Sequence, residues 1–162
     1  MPELLIRLKK KTDGAAALSC TRADGTVTWQ RQVGGHAEFF PLHDLTHYAV
    51  ETVLGHRRGF FGLLAEGWDI SDFSNEWPRG RIPADAEPSE LIVGYLDAER
   101  HSGVQSNAAE FNAHATEFFA RYGVACALGL NDGQLTEIRA TMRALFERWQ
   151  AVPPGGTLEL KF

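Results

Sequence analysis

Two histidines four residues apart are the residues of this chain whose types and spacing point most directly to chemistry. His43 and His47 lie in the segment FFPLHDLTHYAVE, with Asp44 directly after the first and Glu51 four residues after the second. On an α-helix, this spacing places both imidazoles and the Glu51 carboxylate on one face, where they can bind a divalent cation. We therefore predict a site for zinc or another divalent metal at His43, His47 and Glu51, in which Asp44 transfers a proton.

A further metal ligand must come from outside this helix, and Glu66 is the first choice. It lies on the next predicted helix, Phe60 to Gly67. A short connection between antiparallel helices would bring it close to the two histidines. His36 is a further candidate. The pair Glu110 and His114 has the same four-residue spacing, but it continues into a stripe of charged residues and fits a solvated face better.

The apolar residues of the first predicted helix indicate how the site is buried. They form one stripe of the helix, and the two histidines, Asp44 and Glu51 form the adjoining stripe. We expect these polar groups at the edge of the buried face, partly shielded from water but reachable from a cleft. The apolar stripe consists of Leu42, Leu45, Ala49 and Val53.

A purely structural role is the alternative for the same four polar residues. An acidic residue in a first helical turn complements the helix dipole, as Asp44 would. His47 and Glu51 form an ordinary i,i+4 pair, worth only about 0.2–0.5 kcal/mol. Two functions from different classes therefore stay open. One is a metal-dependent enzyme, for which the His and carboxylate ligands favour a hydrolase. The other is a non-catalytic domain that binds a small ligand or a protein through the loop from Trp68 to Trp77 and the exposed hairpin.

Two local zinc motifs resemble the histidine segment. His43-Asp44-x-x-His47 followed by Glu66 resembles the HExxH-x18-E pattern of gluzincin metallopeptidases, which implies two His and one Glu as zinc ligands. Asp44 occupies the position of the Glu that acts as general base in that family. Because of this difference, we do not expect a peptidase. The HDxxH-x11-E motif of the ubiquinone-biosynthesis protein family is also similar, but Gly59 occupies the position of its last ligand.

A longer resemblance covers the middle of the chain. The segments FFPLHDLTHYAVE and GFFGLLAEG, which follow an N-terminal hairpin and precede amphipathic helices, resemble a family of small bacterial proteins without an assigned function. This resemblance implies one complete small domain over residues 1–162 and implies no particular activity.

Composition and charge limit the class of protein. The chain has 162 residues, 44% hydrophobic and 23% charged, which suits a single globular domain with a substantial core. Its net charge of −5 argues against nucleic-acid binding, which requires a basic surface. We find no targeting segment and no apolar run long enough to span a membrane, so we expect a cytoplasmic protein. A homo-oligomer is possible, because an edge strand can pair with a second copy.

Periodicity predicts an α+β fold with a small antiparallel sheet packed against about five helices. Strands are expected in residues 1–35, where Asp24-Gly25 predicts a type I′ hairpin turn between strands 17–22 and 26–32. The helical region is 41–152, with Asn131 and Gln134 predicted as a capping box. Residues 157–162 alternate again and predict a C-terminal strand paired with the first strand. The predicted helices are 41–54, 60–67, 88–102, 107–122 and 131–152.

The remaining features are an irregular segment and two cysteines. The segment from Trp68 to Pro88 is longer than most loops in compact domains, and we favour a loop held on the core by its aromatic residues over a binding loop. Cys20 and Cys126 have no neighbouring Cys or His at a metal-ligand spacing, so we expect two buried thiols.

Overall fold

The computed structural model describes residues 3–74, 83–84, 86–121, 123 and 128–162. Within these ranges the protein has one antiparallel sheet of four strands and five α-helices, which confirms the α+β prediction. Trp77, Tyr122 and Cys126 lie outside the described residues. The strands are β1 (Leu4–Lys10), β2 (Ala16–Arg22), β3 (Val27–Gln32) and β4 (Thr157–Lys161), and the helices are α1 (Gly35–Leu54), α2 (Phe60–Glu66), α3 (Glu87–Ser102), α4 (Ala108–Ala120) and α5 (Asp132–Ala151).

The sheet has the strand order β3-β2-β1-β4, so the first and last strands of the chain are neighbours. β1 pairs antiparallel with β4, with Leu8 opposite Leu158 and Ile6 opposite Leu160. This confirms the predicted pairing of the chain ends. Alternate residues of β1 and β4 are buried, because only one face of the sheet is covered by helices.

The β2–β3 hairpin forms as predicted, but its turn is not type I′. A type I′ turn needs positive φ at both central residues, and Asp24 does not have it. The Arg22 carbonyl instead accepts a bond from the amide of Gly25, which has φ 86°, and the Arg22 amide donates to the Thr26 carbonyl. Asp24 accepts bonds from the Thr26 amide and hydroxyl, which stabilises the longer loop.

Helix α1 begins at Gly35, six residues before the predicted start at Pro41. Proline favours a first helical turn, but Pro41 lies inside this helix, where it removes one backbone hydrogen bond. Tertiary contacts oppose that loss. The added turns place Phe39 in a stacked contact with His43, with ring centroids 5.3 Å apart, and within 5.9 Å of His101 on α3.

Helices α4 and α5 begin with reciprocal capping boxes. The Asn131 side chain accepts from the Gln134 amide at 2.8 Å, and the Gln134 side-chain oxygen accepts from the Asn131 amide at 3.0 Å, as predicted. Asn107 and Glu110 form the same arrangement on α4. The apolar stripe of α5 is buried against the core, and it consists of Leu135, Ile138, Met142, Leu145 and Trp149.

The segment after α2 is held on the core by its aromatic residues where it is described. It contains a short 3-10 helix, Ile70–Ser74. Trp68 and Phe73 contact each other at 5.3 Å and pack against the core, while the Ile70 amide donates to the Thr28 hydroxyl of β3. In the described part of the chain, no helix combines the length and apolar content needed to cross a membrane.

A substitution at Gly62 tests how tightly α2 is packed against the preceding loop. A Cβ at this position would lie 1.9 Å from the backbone carbonyl oxygen of Arg57, which cannot move aside as a side chain could. We expect Gly62→Ala to lower the free energy of unfolding by about 2–3 kcal/mol, as overpacking does. Urea unfolding measures the change.

Gly94→Ala is the matched control, because Gly94 is exposed on α3 and a Cβ there meets nothing within 4 Å. This variant should be neutral or stabilised by about 0.5–1 kcal/mol, since alanine favours a helix. Equal stability of the two variants would contradict the packing of α2.

Candidate functional site

The polar residues of the histidine segment lie inside the protein and not at the edge of its buried face as predicted. Asp44, His47 and Glu51 are 4%, 2% and 1% exposed. Only His43 keeps a sizeable exposed fraction, with 24% of its side chain accessible. The difference arises because α1 packs between α3, α5 and the sheet, so it has little free surface along this length.

His43 forms a strong pair with Asp97 of α3. The Nδ1 atom of His43 donates to Oδ2 of Asp97 at 2.5 Å, and Asp97 Oδ1 accepts from Arg100 at 3.0 Å. Burial opposes a charge on His43, but the Asp97 carboxylate outweighs it and raises the pKa of the imidazole. Burial likewise opposes the Asp97 charge, yet His43 and Arg100 hold its pKa below the usual value. No described group bonds to Nε2 of His43, so this nitrogen is available to a ligand.

His47 lies beside His43, with ring centroids 4.8 Å apart and the planes at 82°. Its Nδ1 atom is 3.4 Å from Oε2 of Glu51 but forms no hydrogen bond within the described chain, and its Nε2 atom is 3.8 Å from Oε1 of Glu90 on α3. Burial lowers the pKa of His47 to about 4, so the imidazole is neutral at pH 7. A neutral imidazole is the form that binds metals.

Glu51 links α1 to the start of α2. Its Oε1 atom accepts from the amides of Phe61 at 3.0 Å and Gly62 at 3.3 Å, which are unpaired donors of the first helical turn. A Cβ on Gly59 would lie 2.4 Å from the Glu51 carboxyl carbon, so only glycine permits this approach. Burial raises the pKa of Glu51 to about 8 despite these bonds.

Asp44 points away from the histidine pair toward the sheet. It accepts a bond from Gln32 of β3 at 3.1 Å. Burial raises the pKa of the Cys20 thiol, and the charge of Asp44 adds to this effect. Burial raises the pKa of Asp44 itself to about 7. The predicted proton-transfer role of Asp44 thus has no support from its contacts, although its charge still acts on His43.

Glu66, the ligand predicted from outside α1, is not in contact with the histidines in the described structure. It is ion-paired with Arg58 at 2.9 Å, and both side chains are about 40% exposed. His36 is also exposed, against the ring of Phe40. Glu110 caps α4, as a structural residue would. The site therefore unites His43, His47 and Glu51, and it leaves Glu66 at the surface.

Two residues of the site were missed in the sequence. Glu90 and Asp97 on α3 are seven residues apart and therefore lie on one helical face. That spacing indicated that the two carboxyl groups lie on the same side of α3, as the spacing of the histidines does for α1. Only the fold shows that this side of α3 packs against His43 and His47. In the sequence, Glu90 and Asp97 are more than forty residues from His43.

Among the described residues, no three His, Cys, Asp or Glu side chains are already spaced to hold a metal ion. Comparisons with protein-family models, with characterised proteins and with solved structures gave no match. The interpretation of the site therefore depends on its own geometry.

The raised pKa of Glu51 predicts how stability depends on pH. A carboxyl that holds its proton more tightly when folded loses stability as the pH rises from its unfolded value, 4.5, to its folded value of about 8. His47 acts in the opposite direction only below 6.5. We expect Glu51 alone to cost metal-free protein about 2 kcal/mol of unfolding free energy between pH 6.5 and 8, and the raised pKa values of Asp44 and His43 add to this loss.

Glu51→Gln should remove the contribution of Glu51 and leave that of Asp44 and His43, because the amide oxygen still accepts from α2 and does not titrate. Urea unfolding in EDTA at several pH values measures both proteins. Glu66→Gln is the control and should leave the slope unchanged, since Glu66 is exposed. A Glu51→Gln profile parallel to that of the parent protein would show that Glu51 does not titrate in this range.

Proposed function

We propose that this protein binds a divalent metal ion, zinc or a similar cation, between His43 and His47 of α1 and Glu90 of α3. The observation that carries the proposal is the orientation of the two imidazoles. Each has its Nδ1 atom toward a buried carboxyl group, Asp97 for His43 and Glu51 for His47. Carboxylates behind Nδ1 orient metal-binding histidines and leave Nε2 for the ion.

Glu90 is the carboxylate closest to the free side of these rings. Its Oε1 atom is 3.8 Å from Nε2 of His47, and its charge also acts on His43. Two ligands of a tetrahedral zinc ion, with bonds of about 2.0–2.2 Å, lie about 3.4 Å apart. A small rotation of the Glu90 side chain would shorten the distance between its Oε1 atom and Nε2 of His47 from 3.8 Å to this value. We infer that the ion draws the three side chains together on binding.

The charge of the site favours a cation. Three carboxyl groups, those of Asp97, Glu51 and Glu90, lie beside the two imidazoles, whereas Arg100 is the cation that the described structure bonds to Asp97. Burial raises the pKa of Glu51, so its hydrogen bonds do not fully replace the hydration that the carboxylate has lost. A bound divalent ion would supply positive charge where burial has removed the stabilising effect of water.

Two histidines, one glutamate and an open position form the ligand set of catalytic zinc sites that activate water. We therefore propose a hydrolytic reaction. His43 is the ligand closest to solvent, so a substrate would approach from its side. We place this activity in the cytoplasm without a nucleic-acid partner, which the free thiol of Cys20 and the net charge of −5 support.

Metal content tests this proposal directly. Protein purified without an affinity tag should contain, or take up from zinc or cobalt solutions, one ion per chain, measured by elemental analysis and calorimetry. Cobalt should give the intense visible bands of a four-coordinate site. His43→Ala should abolish uptake, and Asp97→Asn should weaken it about 10–100-fold, because the carboxylate only orients His43.

His114→Ala is the control, since His114 is exposed on α4 and lies beside Tyr95 rather than in the site. Glu66→Gln should also leave uptake unchanged, because Glu66 is paired with Arg58. Circular dichroism verifies that each variant is folded. Absence of stoichiometric binding by the parent protein, or unaltered binding by His43→Ala, would end the proposal.

A metal-free proton-transfer site is the second candidate, favoured by the 2.5 Å contact of His43 and Asp97. An imidazole oriented by a carboxylate is a common general base. In this case, Asp97→Asn would lower the pKa of His43, measured by NMR titration in EDTA, and any activity would survive removal of metal. A metal site predicts the same pKa change but an activity that EDTA abolishes.

A further inference from the structure

A second concave site lies on the opposite side of Glu51 from His47. It is a cleft of about 1110 Å³ between the first residues of β1, the last residues of β2, the C-terminal part of α1 and helix α2. Glu51 forms part of its wall, whereas His43 and His47 do not line it. The volume suits a small ligand, because ligand pockets commonly measure about 300–1,000 Å³.

The walls of this cleft are mainly apolar. Leu4 and Leu5 of β1, Ala65 of α2 and Phe162 after β4 line it, together with the backbone of Gly62. Such a surface favours an apolar ligand body. Glu51 also lines the cleft, but its carboxyl group is fully buried and accepts bonds from the amides of α2.

The rim of the cleft carries cations whose charge is not neutralised. Arg57 and Lys161 are exposed there, and neither side chain has a partner among the described residues. Arg22 also lines the cleft, but its guanidinium donates to the carbonyls of Leu64 and Trp68.

Acidic residues offset these cations only in part. Glu66 is paired with Arg58, and Glu3 is the remaining exposed acid of the lining. Arg57 and Lys161 therefore leave the rim complementary to an anion.

We propose that this cleft binds a small amphipathic carboxylate, with its apolar body against Leu5, Ala65 and Phe162 and its anionic group at Arg57 and Lys161. The combination of a mainly apolar wall and two cations without a partner among the described residues distinguishes this ligand from a neutral or cationic one. The proposal is independent of the metal site, since none of its binding contacts involves His43, His47 or Glu90.

Three probes of equal chain length test the ligand class: decanoate, decyltrimethylammonium and 1-decanol. Calorimetry in EDTA should show decanoate binding once per chain and about tenfold or more tightly than the other two. Arg57→Glu and Lys161→Glu should each weaken decanoate about five- to tenfold and leave 1-decanol unchanged.

Arg143→Glu is the charge-matched control, because Arg143 is exposed on α5 and does not line the cleft. It should leave all three affinities unchanged. Ala65→Trp fills the cleft and should abolish binding of decanoate, with an unchanged circular dichroism spectrum. If Ala65→Trp is unfolded, Ala65→Leu serves the same purpose with a smaller expected loss.

Equal affinity for the three probes would overturn the proposal, as would the same effect for Arg143→Glu and Arg57→Glu. Phosphatidylglycerol vesicles provide a further arm. If they bind the protein and Ala65→Trp does not reduce this binding, the cations recognise a membrane surface and not a ligand in the cleft. Because every measurement is made in EDTA, a negative result leaves the metal proposal untouched.

Discussion

The contact between Glu51 and the start of α2 is the constraint on which the arrangement of this protein depends. A carboxyl group in the core must replace its lost hydration with hydrogen bonds, and the amides of Phe61 and Gly62 are the donors that do so. This requirement fixes the position of α2 against α1 and excludes a side chain at Gly59. It also orients Glu51 so that its other oxygen faces His47, and Glu51 is one of the residues that line the cleft. One residue thus connects a helix junction, the histidine pair and the cleft.

Helix α1 contributes polar groups in two directions, and this explains why one segment holds so many of them. His43, His47 and Glu51 face α2 and α3, whereas Asp44 faces the sheet and bonds to Gln32. Burial of so many titratable groups lowers stability unless each has a partner. Nδ1 of His47 has none within hydrogen-bond geometry in the described structure. Such a cost is characteristic of functional sites, where groups are arranged for a ligand and not for stability.

The sequence predicted those parts of the fold that depend on local patterns. The capping box of Asn131, the stripe of α5 and the alternation of β4 are local signals, and each is present in the structure. The errors arose where distant contacts outweigh local preference. Pro41 predicted a helix start, but α1 begins six residues earlier, where Phe39 contacts His101 and Arg100 of α3. For the site, spacing on one helix identified His43, His47 and Glu51. Glu66 was placed wrongly among the histidines because sequence distance does not reveal that Arg58 pairs with it at the surface.

The protonation of Glu51 determines how His47 can act. With its pKa near 8, Glu51 holds a proton at pH 7 and lies 3.4 Å from Nδ1 of the neutral His47 without a hydrogen bond to it. A proton on Glu51 favours the tautomer of His47 that carries its hydrogen on Nε2, toward Glu90. That tautomer cannot bind a cation through Nε2. For an ion to bind there, Nε2 must lose its hydrogen and Nδ1 must donate to an ionised Glu51. In the proposed metal site, binding of the ion and loss of one proton from the His47–Glu51 pair would therefore be one coupled equilibrium, and affinity for the ion would rise with pH. A purely structural His47–Glu51 pair has no such coupling, because nothing then competes for the proton on Nε2.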